Sequence, residues 1–290
     1  MRKTIGDTIK YIRVNKQYSQ KNVSTSIISR TSLSKIENNM LNPTFAKLIP
    51  IINNLDVDFD EFLYIQNNFK YSEKKIIINL FSNINFNTDI ANLNHLLKLC
   101  TTYLEKNDGD TIINEIRLIA KALIQLNSNH SIDEIRLTIT PIWERLSYLD
   151  KWFGIELNII NNILFIFDIE TSIHICTRAI KELQKYPNSK MTLQIAFLLN
   201  TSFLLMHKAD FLQANKYLNS ALKKCEEIKR YDLLSITLIR LAITNNPLDL
   251  TLLEKGLNII RSIGLDELLS GIQDEICSFI CPLKKRGINE

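Results

Sequence analysis

The stretch SQKNVSTSIISRTSLSKIE (residues 19–37) decides the fold of the amino-terminal region. Ser19 stands directly before Gln20, and Ser29 directly before Arg30. A serine in that place accepts a hydrogen bond from a backbone N–H of the first turn and so starts a helix. Two short helices follow, one over 20–25 with Val23 inward and one over 30–38 with Leu33 and Ile36 on its buried face. Working outward, Ile5, Ile9 and Ile12 share one face of a first helix, from Ile5 to Asn15. A fourth helix opens near Thr44, after Pro43, with Phe45, Leu48, Ile49 and Ile52 apolar. Pro50 lies within that pattern and is expected to kink or end it, because it has no N–H to give to the helix ladder. The residues from Val57 to Leu63 supply the cap and first turn of a fifth.

Five helices within roughly 65 residues, the second and third closely connected, make a helix-turn-helix arrangement. In that geometry the third helix enters the major groove of DNA, where long donors and small hydroxyls read base edges. Ser29, Arg30, Thr31, Ser34 and Lys35 are therefore the candidate DNA-binding residues, joined by Gln20 at the start of the second helix. Charge agrees with this. Residues 1–47 hold nine basic and two acidic side chains, whereas the whole chain carries a net charge of only +4. A small basic head before a nearly neutral body suits a polyanion. Glu37 is expected to tie the third helix to its neighbours, and Lys3, Lys10 and Arg13 to be solvated charge.

The residues from Ser19-Gln20-Lys21 to Lys35-Ile36-Glu37 resemble the DNA-binding domain of phage-repressor-type (Cro/C1, or XRE) regulators. More narrowly, QKNVSTSIISRTSLSKIE resembles the start of the Rgg/GadR/MutR family of Gram-positive regulators, and LDVDFDEFL (residues 55–63) resembles the closing segment of its DNA-binding domain. NNILFIFDIET (residues 161–171) and the stretch 239–264 are similar to later parts of the same family.

Beyond residue 68 the chain reads as helices alone. It has only 7 Gly and 6 Pro in 290 residues, too few for the turns of an all-β fold. Eleven helices are predicted, over 72–84, 88–105, 110–126, 131–149, 152–167, 168–185, 190–207, 210–229, 232–243, 249–263 and 266–277. Short links between long helices favour antiparallel pairs stacked in series. The segment 209–222 resembles the second helix of a tetratricopeptide unit, and 167–180 occupies the same place one unit earlier. The fold class expected is all-α: a helix-turn-helix domain over 1–66, then an α-solenoid of degenerate tetratricopeptide-like pairs over 70–284.

Family resemblance implies that the body senses a short signalling peptide; a homodimer is expected because one helix-turn-helix makes too few contacts for tight specific binding, and the body has the area to hold it together. Asparagine suits an extended peptide, because one amide both donates to and accepts from backbone groups. Asn158, Asn161 and Asn162 fall at i, i+3 and i+4 on one helix stripe, which Phe165 continues. Asn200 and Thr201 occupy the next pair, and Arg240 the third, where a guanidinium would meet a carboxylate terminus. These seven are the candidate peptide-binding residues.

Other classes lack support. Five Cys form no CxxC pair, and His95, His130, His174 and His207 stand apart, so no metal is expected. No glycine-rich phosphate loop and no nucleophile signature occurs; neither a cofactor nor enzymatic activity is expected. The charges near the start leave no apolar signal run, and the uncharged stretch 191–206 is shorter than the ~20 residues of a membrane span. The reading is a cytoplasmic, homodimeric, peptide-responsive regulator that binds promoter half-sites in double-stranded DNA. The alternative is a helical-repeat scaffold for a partner protein, with a weak DNA-anchoring head.

Overall fold

Caps and apolar spacing account for the helices of the computed structural model, which describes residues 2–24, 26–84, 89–128, 130–186 and 189–285. Those residues form sixteen α-helices and one 3-10 turn, without a strand. The chain divides into two compact units, Met1–Asn79 and Leu80–Glu290.

The first unit begins with α1 (Ile5–Asn15), α2 (Gln20–Val23), α3 (Arg30–Glu37), α4 (Phe45–Asn54) and α5 (Phe59–Gln66). Thr25, placed by the sequence at the end of α2, lies outside the described residues. Thr4, Ser19, Ser29 and Asp58 cap α1, α2, α3 and α5 with their side chains. One core joins Ile9 and Ile12 to Val23, Leu33 and Ile36, and these to Leu48, Ile51, Leu55 and Phe62. One expectation changes on α4. The helix continues through Pro50 to Asn54. The carbonyl that Pro50 leaves unserved belongs to Ala46, an exposed residue, where water can take the place of the missing N–H. Its buried face runs through Leu48, Ile51 and Ile52, so Phe45 and Ile49 are exposed, and Phe45 packs edge-on against Phe59.

Gly6 sets the approach of α1 to α3. A Cβ there would stand 2.0 Å from the carbonyl oxygen of Ile36 and 2.6 Å from Asn39 Oδ1. Alanine gains about 1 kcal/mol of helix propensity over glycine. A clash with backbone has no rotamer to relieve it, and overpacking costs about 1–3 kcal/mol or more. Gly6→Ala is therefore expected to lower the melting temperature of the first unit; an unchanged or raised melting temperature would overturn this packing.

After α6 (Glu73–Ser82), which crosses the division, the second unit contains α7 (Ile90–Leu104), α8 (Thr111–Leu126), α9 (Ile132–Ser147) and α10 (Gly154–Ile163), the last extended by the 3-10 turn Leu164–Ile166. Then come α11 (Ile169–Leu183), α12 (Met191–His207), α13 (Phe211–Ile228), α14 (Tyr231–Thr244), α15 (Leu250–Ile263) and α16 (Asp266–Lys285). All eleven helices read from the sequence are present; the expected start of α7, at Thr88, lies outside the described residues. Aspartate caps recur at Asp89, Asp110, Asp168, Asp210 and Asp249, each accepting from a backbone N–H three residues on. Such a cap contributes about 1 kcal/mol.

Burial separates the body helices into two rows. On α13 the buried residues Ala214, Leu218, Ala221 and Cys225 make one stripe. By contrast α12 is buried around most of its circumference, from Met191 to Met206, and α14 likewise. Consecutive helices pack from α11 to α16, and α10, α12, α14 and α16 also touch in succession. Hence α10, α12, α14 and α16 form one layer, with α11, α13 and α15 along it. No described helix is long and apolar enough to cross a membrane.

Candidate nucleic-acid interface and body cavity

The buried ion pair beneath α3 fixes its outer face. Glu37, at the end of α3, is 3% exposed. Arg13 of α1 grips it through both guanidinium edges, Nε to Oε1 at 2.6 Å and Nη2 to Oε2 at 2.8 Å. The third arm of that guanidinium donates to the carbonyl of Tyr18 at 2.9 Å. Arg13 is thus not the solvated charge expected of it, and its hydrogen bonds to Glu37 raise its pKa above the ordinary arginine value. Gln20 of α2 completes the set, donating from Nε2 to Glu37 Oε2 at 2.9 Å. One carboxylate therefore ties three helices together, as its position in the sequence implied.

Above this plate α3 presents the predicted residues. Arg30, Thr31 and Lys35 are exposed, and Ser34 is half-buried beside them. Ser29 is exposed, but its hydroxyl is engaged in the cap, accepting from the backbone N–H of Ser32 at 3.1 Å. Gln20 is half-buried with its amide oriented by the hydrogen bond to Glu37. Two cations, three hydroxyls and an oriented amide on rigid helices match the chemistry that phosphate and base-edge recognition requires.

The body holds a second candidate site in the layer of α10, α12 and α14. A cavity of about 390 Å³ is lined by Asn158, Asn161 and Asn162 from α10, by Lys190, Met191 and Leu193 around the start of α12, and by Arg230 and Leu233. A second, of about 220 Å³, is lined by Asn161, Asn162, Phe165, Asn200, Phe203 and Leu204. Asn161 and Asn162 border both, and Asn200 Nδ2 donates to Asn161 Oδ1 at 3.0 Å. Asn162 returns a hydrogen bond to the carbonyl of Asn158, and Asn158 donates to Gly154 O and Ser82 Oγ. Five of the seven residues singled out by the helix stripe thus meet at two adjoining cavities: Asn158, Asn161, Asn162, Phe165 and Asn200.

The other two lie elsewhere. Thr201 is buried, its hydroxyl donating to the carbonyl of Phe197 at 2.7 Å. Arg240 donates to both carboxylate oxygens of Glu275 on α16, at 2.7 and 2.8 Å, and to the carbonyl of Leu199 at 2.8 Å, with its guanidinium over the Phe203 ring. Sequence reasoning passed over Lys190 and Phe203, since a residue at the very start of a helix and a residue in a long apolar helix give no periodic signal. Cys100, Cys176 and Cys225 are buried, and burial pushes their thiols up to about 12, 11 and 11, far from a reactive thiolate. No metal-binding cluster occurs among the described residues.

Residues 9–62 match the family described as helix-turn-helix. The amino-terminal unit is a helix-turn-helix domain. This domain and the helical body together have the fold of known regulators. A protein from Listeria monocytogenes EGD-e described as a transcriptional regulator superposes with a TM-score of 0.71 at 20% identity, covering 96% of this chain and 98% of that one. The SHP pheromone receptor Rgg2 of Streptococcus dysgalactiae gives 0.66 at 14% identity, covering 95% and 99%. PlcR of Bacillus thuringiensis, solved in complex with the peptide PapR7 and DNA, gives 0.62 at 14% identity, covering 94% and 98%. No curated protein matches the chain by sequence. At these identities the likeness is one of fold, and it extends over nearly the whole of each chain.

Proposed function

We propose that the protein is a sequence-specific DNA-binding transcription regulator that acts in the cytoplasm as a homodimer and answers to a short peptide. The observation that carries this reading is the outer face of α3. Arg30, Thr31, Ser34 and Lys35 project from a helix whose inner face is locked by the Glu37 ion pair. A solvated face would need no such backing. Residues 1–66 are the DNA-binding part, and 70–284 the part that senses peptide and dimerises. Dimerisation follows from affinity: one helix-turn-helix makes few contacts, and paired half-sites double them. The asparagine-lined cavities support the peptide, since Asn158, Asn161, Asn162 and Asn200 offer paired donors and acceptors between apolar walls. The fold shared with a pheromone receptor and with a peptide-bound regulator supports the same ligand class.

Selection of bound fragments from host genomic DNA by the purified full-length protein tests this reading at physiological salt, where non-specific phosphate binding is weak. The expected result is enrichment of a few promoters bearing paired half-sites. Salt-labile binding with no enriched sequence would overturn it in favour of a scaffold with a DNA-anchoring head.

A further inference from the structure

We infer that Lys190 is the anchor for a carboxylate of the body's ligand, so that a bound peptide lies with an anionic group at the α12 start and apolar side chains toward Phe165 and Phe203. This rests on the peptide reading above and adds the ligand's charge and direction.

Charge pairing around the two cavities carries the inference. Arg240, the cation that the sequence offered for a carboxylate, is already satisfied: Glu275 takes two of its donors and the carbonyl of Leu199 a third. Both side chains of that pair are little exposed, at 11% and 13%, so an incoming carboxylate would have to displace a desolvated partner of the same chemistry. At the larger cavity Arg230 is likewise held, gripping Asp232 at 2.9 and 2.6 Å. Lys190 differs from both. It lines the same cavity, is half-buried, and carries no side-chain hydrogen bond or ion pair among the described residues. A methyl group on Gly154 would stand 3.0 Å from Lys190 Cε and 3.2 Å from Nζ, so the glycine leaves the lysine room to lie over the start of α10. Asn158 lines the same cavity and hydrogen-bonds to the carbonyl of that glycine.

The two cavities differ in character. At the first, a cation with no counter-charge of its own among the described residues sits beside asparagine amides; Arg230 and Asp232 cancel one another, leaving Lys190 as excess charge among the described lining residues. At the second, Phe165, Phe203 and Leu204 give an apolar end with no ionisable side chain in its lining. Asn161 and Asn162 border both and can hold the backbone of a chain that runs from one to the other. A partly desolvated ammonium gains most from a carboxylate, through charge-assisted hydrogen bonds. The carboxylate can be the peptide's terminus or an aspartate or glutamate side chain; the chemistry at Lys190 is the same.

The test uses three pools of synthetic seven-residue peptides, labelled with fluorescein at the amino end and randomised over Leu, Ile, Val, Phe, Ser and Gly. One pool ends in a free carboxylate, one in an amide, and one in an amide with a single aspartate placed at random. Binding to the full-length protein is read by anisotropy, with Lys190→Gln as the variant and exposed Lys216→Gln as the control. The expected result is that the carboxylate or the aspartate pool binds about tenfold or more tighter than the uncharged pool. Lys190→Gln abolishes that preference, and Lys216→Gln does not. Whichever anionic pool shows the preference identifies the carboxylate as terminal or side-chain. If the pools bind alike and Lys190→Gln changes nothing, the anchor is wrong and the peptide reading stands. If no pool binds the unaltered protein, the peptide reading falls and takes the anchor with it.

Discussion

Replacing Glu37 by alanine is expected to cost the amino-terminal unit about 3–5 kcal/mol, the cost of breaking a buried ion pair by removing one partner. Arg13 would be left with its side chain 14% exposed and two of its donors unmet, and Gln20 would lose the contact that orients it. The loss falls on α1, α2 and α3 together, because one carboxylate holds all three. Hydrogen exchange of the α1–α3 amides in the full-length protein isolates it from the body, where protection should not change. A double variant, Arg13→Met with Glu37→Leu, should recover most of the stability, since apolar residues of similar volume commonly replace a buried pair at little cost. If Glu37→Ala shifts protection by less than about 1 kcal/mol, the pair behaves as a surface one and does not brace α3.

That network also shows what the sequence could and could not disclose. The caps at Ser19 and Ser29 and the spacing of Leu33 and Ile36 are local signals, and α3 follows from them within a residue. The role of Glu37 was legible because one of only two acids among nine bases, at a helix end, calls for a partner. Its partner was not legible, since Arg13 is 24 residues away and meets it only through the packing of α1 on α3. The buried face of α4 was not legible either, for a different reason. Its apolar residues run Phe45, Leu48, Ile49, Ile51 and Ile52, wide enough for either of two faces, and only contact with Leu55 and Phe62 decides which is buried.

In the body the same limit acts more strongly. Aspartate caps made the helices visible, yet α12 and α14 are buried nearly all round, so periodicity does not say which side chains reach a cavity. Asn200 and Thr201 are neighbours on α12; one lines a cavity and the other is enclosed in the core. The stripe on α10 served better, because Asn158, Asn161 and Asn162 are the polar residues of its last two turns and share one face, which lines the larger cavity. The pairing of Arg240 was not legible for the same reason as that of Arg13: Glu275 lies 35 residues further on.

Changing Arg30 and Lys35 together to alanine is expected to weaken operator binding by about a thousandfold per half-site, from two contacts at about 1–3 kcal/mol each. Both side chains are exposed, so folding should be unaffected, and unchanged melting would show that the loss is one of contact. Measuring affinity across a salt series separates their roles. A residue that touches phosphate lowers the salt slope by about one when removed, whereas one that reads a base edge leaves the slope and relaxes the sequence preference at one position. Arg30 stands in the first turn of α3, where recognition helices meet base edges, so Arg30→Ala should mainly relax sequence preference. Lys35, a full turn further on, should mainly change the slope. A scaffold with an anchoring head predicts otherwise: the double variant would lose salt-dependent DNA binding yet keep its partner and its cellular output. Retention of operator affinity within about threefold would exclude α3 as the reading helix and send the search to the other basic side chains of the first unit.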